Sequence, residues 1–331
     1  MTGPPMVSAR RDGDTSTGSV VFLRGRSGED PLTCLWALDL DSGTERVLAD
    51  PARLLDTEPA AGIGAYSTDA AGRRVAFVLA DGLWTVDVHD ADARRLPTPD
   101  QPVDPRLDPA GTRIAYRHGD ELRRIDVAGT DDRALATPDG PDVMFGYGSL
   151  TGETAPDYTA PRGFWWAPGS KRLLVARSDV TQVQLWHLSD PTRPTRPGPA
   201  RPGPHVPTAV LPWHVTLWIV DLDGTRTEVA WDRTAFEYVV GAGWDAHGPY
   251  TVVQSRDQRV LRLLGIDPAT GRTSTLHEQR DDRWVRLLPG LPTRTGSGAV
   301  VATVDDGDTR AASMNWCCCP GSATPCRARQ P

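Results

Sequence analysis

Phe164-Trp165-Trp166-Ala167-Pro168-Gly169-Ser170, running straight into Lys171-Arg172-Leu173-Leu174-Val175-Ala176-Arg177, reads as a strand, a turn and a second strand. The Pro-Gly-Ser step supplies the reversal, since proline presets one turn dihedral and glycine tolerates the rest, and the apolar run after it has a face to bury. The unit recurs. Asp69-Ala70-Ala71-Gly72-Arg73-Arg74-Val75-Ala76-Phe77 and Asp108-Pro109-Ala110-Gly111-Thr112-Arg113-Ile114-Ala115-Tyr116 share its grammar: a small or acidic turn, a basic residue and a β-prone run. These two copies start 39 residues apart, a period found in repeat architectures.

A second motif repeats between the copies of the first. Asp39-Leu40-Asp41-Ser42-Gly43-Thr44 follows one apolar run and precedes another, as a tight hairpin requires. Asp126-Val127-Ala128-Gly129-Thr130, Asp221-Leu222-Asp223-Gly224-Thr225 and Asp267-Pro268-Ala269-Thr270-Gly271 do the same. Together the motifs describe a blade of about four strands, the inner pair joined by the Gly-basic turn and the outer pair by the Asp/Gly hairpin. The predicted fold is therefore all-β, a β-propeller. Stacking blades buries large apolar side chains between neighbours, and Trp36, Trp84, Phe164, Trp165, Trp186 and Trp218 are assigned to those seams. No helix is predicted, because Asp50 to Pro59, the one stretch of helical composition, is short and bounded by Pro51 and Pro59.

Composition agrees. The chain has 331 residues, 39% of them apolar, with 30 Pro and 32 Gly, which suits many short elements joined by turns. A net charge of −7 disfavours a phosphate-binding surface, so no nucleic-acid partner is expected. Nowhere do about 18 apolar residues follow one another, and Arg10 and Arg11 precede no apolar run, so neither a membrane span nor an export signal is read and a cytoplasmic location is expected. Cys34, inside Leu32-Thr33-Cys34-Leu35-Trp36, reads as a small buried hydrophobe. Cys317, Cys318, Cys319 and Cys326 crowd the last stretch without a nearby His, a poor spacing for converging ligands, so no metal or cofactor is expected.

Three stretches break the grammar. Residues 1–17 are expected to be disordered. Pro191 to Pro207 is too rich in proline to pair in a sheet and is expected to be an extended loop. In Ala311 to Pro331 the strand periodicity gives way to Arg, Pro, Ala, Gly and Cys, as translation in a wrong frame would produce, and residues 311–331 are expected to be a disordered tail. The propeller is accordingly assigned to residues 18–310.

Val20-Val21-Phe22-Leu23-Arg24 with Cys34-Leu35-Trp36-Ala37-Leu38-Asp39, Arg162-Gly163-Phe164-Trp165-Trp166-Ala167-Pro168, Leu185-Trp186-His187-Leu188-Ser189-Asp190-Pro191 and Val215 to Asp223 resemble the N-terminal propeller of dipeptidyl-peptidase IV-like serine peptidases, in the prolyl oligopeptidase superfamily. The resemblance implies an eight-bladed propeller capping a C-terminal α/β-hydrolase domain that holds Ser, Asp and His. About seven hairpin-like modules are counted between Ser19 and Arg310, so an incomplete ring, open at its edges and prone to self-association, is expected. A hydrolase nucleophile needs the elbow Gly-x-Ser-x-Gly. The nearest approach is Gly25-Arg26-Ser27-Gly28-Glu29, with Glu where the second Gly belongs. No catalytic residue is therefore assigned, and the chain is expected to be inactive alone, a truncated peptidase whose peptide substrate is cleaved by a catalytic domain absent from it.

In that family two glutamates upstream of the Gly-Phe-Trp-Trp stretch bind the free α-ammonium of a peptide. Counted back from Gly163, those positions fall on Pro156 and Asp157, with Glu153 nearby. The resemblance thus implies Asp157 and Glu153 as amine-binding residues. The rival reading is a free-standing propeller that serves as a protein-interaction scaffold.

Overall fold

The computed structural model describes residues 7–10, 18–27, 30, 32–59, 61–147, 162–182, 213–288, 290–304 and 313–317. Among these, 24 strands form six antiparallel sheets that follow one another along the chain. The first holds β1 (Val7–Arg10), β2 (Ser19–Gly25), β3 (Thr33–Asp39) and β4 (Glu45–Ala49); after the single-turn helix α1 (Pro51–Leu54) the second holds β5 (Ala65–Thr68), β6 (Arg74–Leu79), β7 (Gly82–Asp87) and β8 (Ala93–Arg95). The third is β9 (Val103–Leu107), β10 (Arg113–His118), β11 (Glu121–Asp126) and β12 (Arg133–Ala136). The fourth has β13 (Val143–Phe145) and β14 (Phe164–Trp166), both paired to β15 (Arg172–Asp179), then β16 (His214–Asp221) and β17 (Arg226–Glu228). The fifth is β18 (Tyr238–Asp245), β19 (Gly248–Gln254), β20 (Val260–Ile266) and β21 (Thr273–Arg280), and the sixth is β22 (Thr293–Arg294), β23 (Val300–Val304) and β24 (Ser313–Cys317). Six sheets, rather than the seven modules counted from sequence, are present among the described residues.

The second to fifth sheets are each buried on both faces, and the two faces feed two different cores. In β6, Val75 and Phe77 pack with Val21, Leu35 and Leu48 of the first blade, whereas Ala76 between them packs with Leu107, Ile114 and Tyr116 of the third. In β15, Leu173 and Val175 face the third blade while Leu174 and Ala176 face the fifth. Leu264 and Ile266 of β20 join that core, and Leu261 and Leu263 join the next, against Val300 of the sixth. Period-two alternation on a sheet buried both ways produces the near-continuous apolar runs of the sequence and the face-to-face stacking of a β-propeller.

The repeated turns explain their own residues. Asp69 Oδ1 accepts the backbone N–H groups of Arg73 (2.7 Å) and Arg74 (3.0 Å), and Asp108 Oδ1 accepts those of Thr112 (2.6 Å) and Arg113 (3.0 Å). Gly72 and Gly111 occupy the left-handed region at φ 69°, which favours glycine. In the fourth blade the equivalent left-handed residue is Ser170 (φ 56°), one place beyond Gly169, and its hydroxyl accepts the N–H of Ala110 from the third-blade turn at 3.1 Å. Neighbouring turns are also tied by the Ala70 N–H to Pro109 carbonyl bond (3.0 Å). Every outer hairpin read from the sequence closes on its Asp: Gly43, Gly129, Gly224 and Gly271 donate to the carbonyls of Asp39, Asp126, Asp221 and Asp267.

Several expectations are corrected. Strands β1 and β24 lie in stretches predicted to be disordered; edge strands take up the N–H and C=O groups that β2 and β23 would otherwise leave unpaired, a backbone demand that side-chain periodicity does not report. α1 forms because the Asp50 side chain caps it, accepting from the Ala52 N–H at 3.0 Å, with Pro51 at its first position. Trp36 stays on its own blade, beneath the Arg24 guanidinium 4.5 Å from its ring, with its N–H donated to the Arg24 carbonyl. Trp84, Phe164 and Trp218 do sit in seams, whereas Trp186 and Pro191 to Pro207 lie outside the described residues. Cys34 is fully buried and free, and burial, with Asp50 beside it, pushes its thiol up to about 11. No helix among the described residues is long and apolar enough to cross a membrane.

One half-buried base sets a pH dependence. His277 on β21 has its Nε2 shielded from water without a hydrogen-bond partner among the described residues, and desolvation holds the imidazole below its ordinary value against the opposing charge of Glu278. A depressed folded-state value means that the unfolded chain protonates first, so the stability is present above about pH 6.5 and is lost as the pH falls further. Urea denaturation at pH 7 and pH 5 should show a loss on acidification that shrinks in His277→Gln; an identical loss in both proteins would contradict this.

Candidate functional site

The first strands of the second to fifth blades, β5, β9, β14 and β18, lie side by side around a cavity of about 920 Å³. Tyr66 and Ser67 come from β5, Arg106 and Leu107 from β9, Phe164, Trp165 and Trp166 from β14 with Arg162 just before it, and Trp244 and Asp245 from β18. Bonds between these strands fix the wall. Ser67 Oγ accepts the Leu107 N–H at 2.9 Å, and the Trp166 indole N–H donates to the Arg106 carbonyl at 3.0 Å. Trp166 is buried in the seam between the third and fourth blades, whereas Trp165 and Trp244 are half-buried at the seam between the fourth and fifth.

The electrostatics of the wall are uneven. Asp69 spends its carboxylate on its own turn, and Asp245 is held by the Arg294 Nε at 2.8 Å. Arg106 pairs with Asp104 at 2.5 Å, while its Nε is buried with no partner among the described residues. Arg162 has no hydrogen bond or ion pair among the described residues. Its side chain is exposed and lines the cavity, where partial desolvation, then Arg106, lowers its pKa, with Asp104 opposing.

The fourth blade differs from its neighbours because its inner strand is interrupted. β13 ends at Phe145, β14 begins at Phe164, and both pair to β15. The neck between them is pinned on a single residue: Gly146 donates its N–H to the Ala176 carbonyl, and the Ala176 N–H donates to the Gly163 carbonyl, both at 2.8 Å. A Cβ on Gly163 would stand 2.2 Å from the Gly146 carbonyl, so only glycine permits this approach. Tyr147 and Arg162, the last described residues on either side, therefore flank a neck on the inner strand of a blade that lines the cavity.

Asp157 and Glu153 belong to the excursion that leaves from this neck and lie outside the described residues. Sequence reasoning found the tryptophan pair but missed Arg106, Trp244 and the exposed role of Arg162. A smaller cavity of about 430 Å³ lies between Asp179, Thr181, Trp213, His214, Arg233 and Glu237, where Arg233 and Glu237 are already paired, to Glu228 and Arg256.

Residues 73–310 match the family model described as "Dipeptidyl peptidase IV (DPP IV) N-terminal region". Among solved structures the chain is similar to the crystal structure of Porphyromonas gingivalis dipeptidyl peptidase 4, with 13% identity and a TM-score of 0.71 over 94% of this chain and 45% of that one. The chain thus spans less than half the length of that relative. No curated protein matches.

Proposed function

Because the chain belongs to the dipeptidyl peptidase IV N-terminal region family, we propose that it is the propeller portion of a dipeptidyl-peptidase IV-like serine peptidase, gating and positioning peptides for a catalytic domain not contained in these 331 residues. The observation that carries this reading is the interrupted inner strand of the fourth blade. Its resumed half, with Arg162 just before it, lines a cavity walled by Trp165, Trp166 and Trp244, and Asp157 and Glu153 fall in the sequence between its two halves. Carboxylates there would take the α-ammonium of a peptide by charge-assisted hydrogen bonds, and the indoles would cover its apolar side chains. A cavity of about 920 Å³ is within the range that holds small ligands and short peptides.

The bond-breaking step lies elsewhere. Acyl transfer to a serine requires a nucleophile activated by a base beside oxyanion donors, and no Gly-x-Ser-x-Gly elbow occurs in the sequence. The purified chain should release no nitroaniline from Gly-Pro or Ala-Pro p-nitroanilide and should take up no fluorophosphonate probe. Robust turnover abolished by the fluorophosphonate would overturn this division of labour.

A further inference from the structure

We propose that Arg106 and Arg162 form a carboxylate-binding subsite in the axial cavity, so that the bound peptide is recognised by an anionic group as well as by its N-terminus. The peptide part rests on the function proposed above; the anion part does not.

The charges of the cavity wall carry the inference. Among the described residues its two acids are occupied, Asp69 by the Arg73 and Arg74 N–H groups and Asp245 by Arg294. Among the described residues its two guanidiniums share one carboxylate, that of Asp104, which reaches Arg106 alone by an ion pair. Arg162 is left with five N–H donors and no acceptor among the described residues, and the Arg106 Nε is buried unpaired beside the same space. Two cations brought together with a single anion are costly in a partly desolvated wall, and an entering carboxylate relieves that cost by matching the planar guanidinium fork. Arg162 is also placed for it in sequence, one residue before the neck glycine Gly163, whose close contact fixes the backbone from which the side chain extends. The carboxylate could belong to an acidic side chain or to a peptide C-terminus, which present the same chemistry.

Calorimetric titration of the 331-residue chain with Ala-Pro-Asp-amide, Ala-Pro-Asn-amide, Ala-Pro-Ala, Ala-Pro-Ala-amide and glutarate separates these cases. The carboxylate-bearing member of at least one peptide pair should bind about tenfold more tightly than its amide counterpart, as expected of one charged hydrogen-bonded contact, and the difference should shrink with added salt. Preference for Asp over Asn assigns the site to a side chain; preference for the free over the amidated C-terminus assigns it to the chain end. Arg162→Gln should abolish the discrimination and Arg162→Lys restore part of it, with thermal midpoints unchanged because Arg162 has no partner to lose among the described residues. If glutarate binds through Arg162 while no peptide does, the anion site stands and the peptide-positioning reading falls. Equal binding of acid and amide in both pairs, or discrimination that survives Arg162→Gln, would overturn the subsite.

Discussion

Replacing Trp166 with alanine lowers the unfolding free energy by about 3–5 kcal/mol, the range for deleting a large buried aromatic. The indole is 8% exposed and packs with Phe145, Phe164, Leu173 and Val175 in the core shared by the third and fourth blades. Its N–H also crosses that seam to the Arg106 carbonyl at 3.0 Å, so the substitution leaves both a cavity and a carbonyl without its donor. Trp284, 61% exposed, offers the control: Trp284→Ala should change stability by less than about 0.5 kcal/mol. Chemical denaturation measures both, and a Trp166→Ala loss below about 1 kcal/mol would show that the seam is not packed as described.

Asp108→Ala should cost about 3 kcal/mol, from three donors that lose one acceptor group. The carboxylate is fully buried and takes the Thr112 N–H, the Arg113 N–H and the Thr112 hydroxyl, at 2.6, 3.0 and 2.9 Å. Asp108→Asn keeps one oxygen and should recover part of the loss, whereas Asp108→Leu, which adds apolar volume without an acceptor, should not. Should leucine prove as stable as asparagine, burial rather than hydrogen bonding would account for the aspartate.

These two residues also show what the sequence made legible. Asp108 and its counterpart Asp69 are local devices: carboxylate, glycine and clasped N–H groups lie within five residues of one another, so spacing alone reports the turn. The strand runs were legible for a related reason, since burial on both faces imposes apolar residues at consecutive positions. Within the Pro168-Gly169-Ser170 turn read from the sequence, the left-handed place is filled by Ser170 and not by the glycine, and its hydroxyl serves the neighbouring blade, a contact that no local pattern reports.

The cavity was less legible. Whether an arginine points toward the axis or toward solvent depends on how four inner strands are arranged side by side, and residues as far apart as Tyr66 and Trp244 share that wall. Arg162 stood in the stretch that carried the family resemblance, yet nothing local distinguished it from a solvated charge. Only the wall around it shows that its neighbours' carboxylates are engaged elsewhere. The neck was hidden likewise: Gly146 and Gly163 meet through the Ala176 backbone of a strand that follows both.

The most direct test of the proposed role is the equilibrium binding of Ala-Pro-Ala-amide to the purified chain, with the N-terminus free and acetylated, read by calorimetry with the peptide recovered for mass spectrometry. The account predicts that the free amine binds and is recovered intact, that acetylation weakens binding by about tenfold, as removal of one charged contact should, and that Asp157→Asn combined with Glu153→Gln removes the difference. Equal affinity for the two peptides, or a cleaved Ala-Pro dipeptide in the recovered sample, would contradict it.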